Sequence, residues 1–261
     1  MRPLVLAHRG ASSEAPENTL PAFERAFACG ADGIELDVTL SADGVPVVMH
    51  DDELLRTAGV LGRPWKLSVA ELRQYDVGSW FSPKFAGARI PTLAEALDLA
   101  RGRGIVNVEI KSRLWRTLRG QPNPPSIRRL VGAVLRTLDV HATPESVVVS
   151  SFDPRVLRAL RRMDRRWRTG FLRSDTQRGP DFLLWRWAGA DFFHPDVPLV
   201  SPALRWTGDA RRLLVWTVDD LFEIERLSAM GVRAIITNRP AEVLAHFQRI
   251  RAPGSSGTIR A

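Results

Sequence analysis

A chain of 261 residues, 44% apolar and 25% charged, has the length and composition of one large globular domain, which excludes a disordered or fibrous protein. Its one cysteine excludes an internal disulfide, and no run approaches the roughly eighteen apolar residues of a membrane-spanning helix. The net charge of +8 comes almost wholly from arginine, since the only lysines are Lys66, Lys84 and Lys111; it favours anionic partners but, without a recognised nucleic-acid motif, not nucleic acid.

The N-terminal "MRPLVLAHRG" is too short in its apolar run for a signal peptide, so a cytoplasmic protein is expected. Its "LVLAH", Leu4 to His8, is the first candidate strand. A helix over Leu20 to Cys29 follows, and then "IELDV", Ile34 to Val38. Asp43-Gly44 makes a tight turn, after which "VPVVMH" is expected to return antiparallel to the second strand. The stretch 51–90 is rich in turn residues, with a short helical piece near Val69 to Tyr75. It is too long for a plain loop and reads as a small capping subdomain.

Beyond it, strands are expected at Ile105 to Ile110, Ser146 to Phe152, Arg168 to Leu172, Ala190 to His194, Leu213 to Val218 and Ala234 to Thr237. Helices are expected at Thr92 to Arg101, Ile127 to Leu138, Pro154 to Met163, Leu221 to Met230 and Ala241 to Arg249. In the Leu157 to Arg168 run, apolar residues at helical spacing leave the arginines on a solvated face. The segment Ser112 to Ser126 reads as a mobile basic loop, 251–261 as a disordered tail, and Trp185 and Trp187 as packed into the helical layer. Strand and helix alternating eight times predict an α/β fold of the (β/α)8 TIM barrel type: a barrel domain over 1–250 with an insertion after its second strand.

The polar residues gain meaning from that placement. In "GIELDV", Glu35 and Asp37 share one strand face, roughly 6.7 Å apart, and at an effective dielectric of 20 their repulsion is ~2.5 kcal/mol. In "NVEIK", Asn107, Glu109 and Lys111 share another face. His8 and Arg9 end the first strand, the hairpin returns His50 to the same edge, and Trp216 and Asn238 come from late strands. C-terminal strand ends converge on one mouth of such a barrel. Three carboxylates without a thiolate make a hard oxygen site suited to Mg²⁺ or Ca²⁺. Arg9 and Lys111 add positive charge suited to a phosphoryl group, and the two histidines supply an acid and a base. Together they point to metal-assisted phosphodiester cleavage. His141, His194 and His246 read as satisfied core histidines.

The stretches "AHRGASSEAPENTLPAF", "GADGIELDVTLSADGVPVVMHDDELLRTAG", "LRQYDVGSWF", "IPTLAEAL", "NVEIKS", "VVVSSFD", "VWTVDD" and "GVRAIITNRP" run from Leu4 to about Pro240. In that order they resemble the glycerophosphodiester phosphodiesterase family, the first two being highly specific together. The resemblance implies a (β/α)8 barrel with an insertion after the second strand. It implies catalytic roles for His8 and His50, metal ligation by Glu35, Asp37 and Glu109, and phosphate binding by Arg9 and Lys111; Trp216 is added as a substrate contact from its place at the mouth. Glu17, in "PENT", lies at a position of the family with a catalytic or structural role. The implied reaction yields sn-glycerol 3-phosphate and an alcohol with Mg²⁺ or Ca²⁺, the glycerol hydroxyl acting as first nucleophile through a cyclic phosphate. Two positions depart from the pattern: Asn238 where many relatives carry Asp, and Asp219 where Asn is common, neither expected to touch the core set. Competing expectations are a lysophospholipase D using an apolar groove at Trp80, Phe81 and Phe85, and a silent protein binding anions or an anionic membrane surface.

Overall fold

The computed structural model describes residues 2–112, 125–177, 181–201 and 209–251. The inner wall is a ring of parallel strands, β1 (Leu4–His8), β2 (Gly33–Leu40), β4 (Ile105–Ile110), β5 (Val147–Ser151), β6 (Arg168–Arg173), β7 (Phe192–Pro195), β8 (Leu214–Val215) and β9 (Ala234–Thr237). Hydrogen bonding runs β7-β6-β5-β4-β2-β1-β9-β8, and the parallel bridges Phe193 to Leu213 and Asp196 to Trp216 draw β7 against β8 to close the ring. The short β3 (Pro46–Val48) lies antiparallel on β2, as the Asp43-Gly44 turn requires. This is the (β/α)8 barrel that the alternation predicts. All eight residues of β2 and all five of β5 are buried, as expected for strands covered on both faces.

Several helices begin on capping residues. α1 (Leu20–Ala28) starts after Thr19. The insertion contributes α2 (Leu55–Ala58) and α3 (Val69–Leu72). α4 (Leu93–Ala100) is opened by a capping box in which Glu95 accepts from both the amide and hydroxyl of Thr92 at 2.8 Å. α5 (Ile127–His141) starts at Ser126, α6 (Pro154–Met163) at Asp153 with Pro154 as its first residue, and α8 (Leu221–Met230) at Asp220, ending on the left-handed Gly231. Between them in sequence lies α7 (Asp181–Ala188), and α9 (Pro240–Arg251) closes the described chain.

The outer strand faces and helices form two large apolar clusters, one centred on Phe23, Leu36, Val108 and Leu135, the other on Phe171, Phe193, Val215 and Phe247. The lower barrel interior is plugged by Leu6, Val148, Phe192, Leu214, Ala234 and Ile236. Because this plug is apolar, polar side chains on the same strand faces collect above it, towards the C-terminal strand ends. The insertion has its own small core of Val47, Met49, Leu54, Leu72, Val77 and Ile90, built around the end of β3.

Several expectations need correction. The strand expected over Leu213 to Val218 is only two residues long, because the chain turns at Trp216 and Val218 donates to Ile236 O instead (2.9 Å). α7 went unread because "DFLLWRWA" lacks a polar stripe to declare a helical period. Trp185 packs into the apolar layer as expected, whereas Trp187 is half-exposed beneath Arg158. The helix expected to continue to Tyr75 stops at Leu72. The expected basic loop at Ser112 to Ser126 falls for the most part, and the expected tail for all but its first residue, outside the described residues. No described helix is long and apolar enough to cross a membrane.

Candidate active site

Strand register brings the acids together. Across β2 and β4, Glu35 pairs with Asn107 and Asp37 with Glu109, while His8 of β1 pairs with Glu35. Glu35, Asp37 and Glu109 are all buried, and one carboxylate oxygen from each lies within 4.8 Å of those of the other two. Burial first, then the neighbouring acids, raises the Glu35 carboxyl well above the ordinary range; burial and Asp37 raise Glu109 as well. Asp37 moves the other way: burial alone would raise it, but Lys111 and Arg9 outweigh that and hold it ionised. Three carboxylates face two cations here, so the cluster lacks positive charge. Its donor set, all oxygen and without a thiolate, fits a hard divalent cation.

The loop after β1 shapes one side of the site. Arg9 and Asn18 both take left-handed backbone conformations, φ 56° and 57°. The Arg9 amide thereby donates to Glu35 (3.0 Å), and the Asn18 amide group donates to Asp37 at 2.8 Å while its carbonyl accepts the Asp37 N–H at 3.2 Å. The Arg9 guanidinium reaches Asp37 at 3.3 Å and Glu17 at 2.9 Å. Lys111 lies 3.3 Å from Asp37 and 2.9 Å from Glu109, and these acids, overcoming the effect of burial, keep it firmly protonated. The two cations expected to meet a phosphoryl group are thus anchored by carboxylates at its edge.

Asn238 accepts from His8 Nδ1 at 2.7 Å and from the Ser12 hydroxyl at 3.0 Å, and its Nδ2 donates to Asp219 at 2.7 Å. An amide oxygen receiving Nδ1–H leaves His8 Nε2 with its lone pair, 3.9 Å from Glu35. Burial, Arg9 and His50 lower the His8 pKa to about 4, so this imidazole is neutral at ordinary pH. His50, just past β3, donates its Nδ1–H to Asp51 at 2.6 Å, which makes Nε2 the nitrogen that carries the lone pair of the neutral ring. Trp216 is tied by its indole N–H to His194 O (2.8 Å), and Phe152 meets its ring edge-on at 5.4 Å.

The sequence-derived set therefore converges on one barrel mouth: the three acids, Arg9, Lys111 and His8 by direct contacts, His50 in a cleft that it lines with Glu17 and Asn18, and Trp216 on the far wall above β8. Four further residues belong to the site: Asn18 went unnamed, Glu17 takes the structural role left open for it, and Asn238 and Asp219 were set aside. Asn18 orients Asp37, and its signal was a non-glycine residue in the tight turn of "PENT". Glu17 joins Arg9 to Arg56. Asn238 and Asp219, expected to stand apart from the core set, touch each other, and Asn238 touches His8; the charge missing at 238 sits at 219. His194 is buried as expected but not satisfied: among the described residues neither ring nitrogen has a hydrogen-bond partner.

Residues 8–242 match the family model of the glycerophosphoryl diester phosphodiesterase family. A glycerophosphodiester phosphodiesterase of Caldanaerobacter subterraneus subsp. tengcongensis is 35% identical over 248 residues, covering 94% of this chain and 97% of the relative. One from Bacillus altitudinis is 31% identical over 244 residues, covering 90% and 94%. Among solved structures, a phosphodiesterase of Oleispira antarctica in complex with the product sn-glycerol-3-phosphate superposes with a TM-score of 0.83 at 27% identity, covering 95% of this chain and 97% of that one.

Proposed function

This chain belongs to the glycerophosphoryl diester phosphodiesterase family and is a glycerophosphodiester phosphodiesterase, and from that premise we propose that it uses a divalent cation and two histidines to release sn-glycerol 3-phosphate and an alcohol. The observation that carries this reading is the buried, charge-deficient carboxylate cluster sharing one mouth with a neutral imidazole.

Glu35, Asp37 and Glu109 would hold the cation, Mg²⁺ or Ca²⁺. The chemistry a bound ion would supply there is polarisation of a phosphoryl oxygen and a lower pKa for the attacking hydroxyl. Arg9 and Lys111, at the rim with about a fifth of each side chain exposed, offer N–H donors to the phosphoryl oxygens. His8 is the base: its Nε2 lone pair takes the proton of the attacking hydroxyl. Asp51 fixes His50 as the Nδ1–H tautomer, so that its Nε2, when protonated, returns a proton to the departing alkoxide. Trp216 walls the side of the pocket on which the glycerol moiety would rest.

The deciding experiment assays purified protein on a panel of glycerophosphodiesters with Mg²⁺, Ca²⁺ and Mn²⁺. Release of glycerol 3-phosphate, abolished by EDTA and restored by one of these ions, is expected; turnover undiminished by exhaustive chelation would reject the metal assignment. His8→Ala and His50→Ala should each lose about 10²–10⁴ in rate while folding normally. A lysophospholipid substrate is favoured by one observation: the edge-to-face rings of Trp80, Phe81 and Phe85, with Trp80 44% exposed, next to Arg56 at the rim. Faster turnover of a long-chain diester than of a deacylated one would support it, and with it weak contact with an anionic membrane surface.

A further inference from the structure

Arg56 lies outside the barrel, on α2 of the insertion, with 44% of its side chain exposed. Its guanidinium nevertheless joins two parts of the site. Nε donates to Asp51 Oδ2 at 2.6 Å, while Nη1 and Nη2 donate to the two oxygens of Glu17 at 2.8 and 2.7 Å. Asp51 uses its other oxygen to accept His50 Nδ1–H, and Glu17 also accepts from Arg9, which lies against Asp37. An unbroken chain of ion pairs and hydrogen bonds therefore runs Asp37, Arg9, Glu17, Arg56, Asp51, His50. It connects the carboxylate cluster on β2 to a histidine that the strand ladder does not hold: β3 ends at Val48, and Met49 is the last residue of this stretch bonded to β2, through Asp37 O at 2.8 Å. Arg56 also lies over the Trp80 ring, 5.8 Å from its centroid, which limits the rotamers it can adopt.

We propose that Arg56 is a positioning residue, which sets the place and tautomer of His50 by clamping Asp51 to Glu17 across the gap between insertion and barrel. This rests on the reading of His50 as a proton-transfer group. Without the guanidinium, Glu17 and Asp51 would be two carboxylates facing each other across a cleft lined also by Asn18, Met49 and His50. They would separate, drawing Asp51 off the His50 Nδ1–H and leaving the imidazole to turn and to change tautomer. A planar fork serving three acceptors on two residues is a task for arginine; lysine offers one ammonium and spans one carboxylate well.

The test compares wild type, Arg56→Ala, Arg56→Lys and His50→Ala, with the double variant Arg56→Ala/His50→Ala, on glycerophosphocholine. Arg56→Ala should lower kcat on the order of tenfold to a hundredfold, as a displaced catalytic group does, with KM within about twofold and the thermal midpoint near that of wild type. Arg56→Lys should recover part of the loss. In the His50→Ala background the same change should cost nothing further. An unchanged kcat in Arg56→Ala, or an equal loss with and without His50, would overturn the proposal. The second readout needs no turnover: the imidazole nitrogen resonances of His50 should show a single Nδ1–H tautomer in wild type and a mixture in Arg56→Ala, and identical spectra would also overturn it. A wild type inert on every glycerophosphodiester would instead reject the substrate reading, leaving Arg56 to be judged by that spectrum.

Discussion

Asn238 is bound twice to Asp219: its side chain donates to that carboxylate at 2.7 Å, its own backbone N–H donates to it at 2.8 Å, and its amide oxygen is left to accept from His8. The resemblance implies the reverse order of amide and acid at these two positions, and in this chain the pair keeps one amide and one charge beneath His8.

The first expectation concerns this pair. Asn238→Asp alone would set two carboxylates against each other where a hydrogen bond now stands, and should lower both stability and kcat. Asp219→Asn added to it restores one charge and one amide and should recover most of both. A double-mutant cycle on urea unfolding should give a coupling of about 1–3 kcal/mol. Strictly additive effects would show that the exchange is accidental.

Asp37 holds the cation cluster together. Asp37→Asn removes the charged acceptor shared by Arg9, Lys111 and Asn18, setting a neutral amide against two half-buried cations. The expected cost is about 3 kcal/mol of stability together with loss of divalent-ion binding. Calorimetric titration with Mn²⁺ and chemical unfolding would measure both, and binding at wild-type affinity would remove Asp37 from the ligand set.

His194 gives the fold a dependence on pH that is separate from catalysis. It is fully buried above Gly170, where an added Cβ would lie 2.3 Å from its Nε2, and burial lowers its pKa from 6.5 to about 3. Between those values the unfolded chain binds a proton that the folded one does not. The stabilisation is therefore complete above pH 6.5 and declines as pH falls towards 3, at up to ~1.4 kcal/mol per pH unit. Wild type should lose stability between pH 6.5 and 4 more steeply than His194→Gln; parallel curves would contradict the assignment.

Gly33 lies where β1, β2 and β4 meet. A Cβ there would fall 2.1 Å from the Ile105 carbonyl oxygen and 2.8 Å from the Leu6 side chain, and the first of these is backbone that cannot step aside without breaking the β2–β4 ladder. Gly33→Ala should cost about 3 kcal/mol or more, measured by urea unfolding; a loss below about 1 kcal/mol would mean that the strands tolerate a shift.

How much of this was legible in the sequence depended on the range of the interaction. Alternating Ile34, Leu36 and Val38 against Glu35 and Asp37, with caps such as Thr92 and Asp153, are local signals, and strand periodicity and helix starts follow from them. The barrel follows from their order, because parallel strands need crossovers and a closed ring leaves no edge. Residue type then pointed to the chemistry proposed for the mouth, since carboxylates, imidazoles and cations on one strand edge admit few uses. Tertiary structure alone decided which charge meets which. Arg9 and Lys111 turn onto Asp37, Arg56 crosses from the insertion to Glu17, and Asn238 exchanges roles with Asp219 from a loop some twenty residues away. Such partnerships join residues far apart in the chain, and no local period records them; they are fixed only when burial removes water and every buried charge must find a counter-charge within reach.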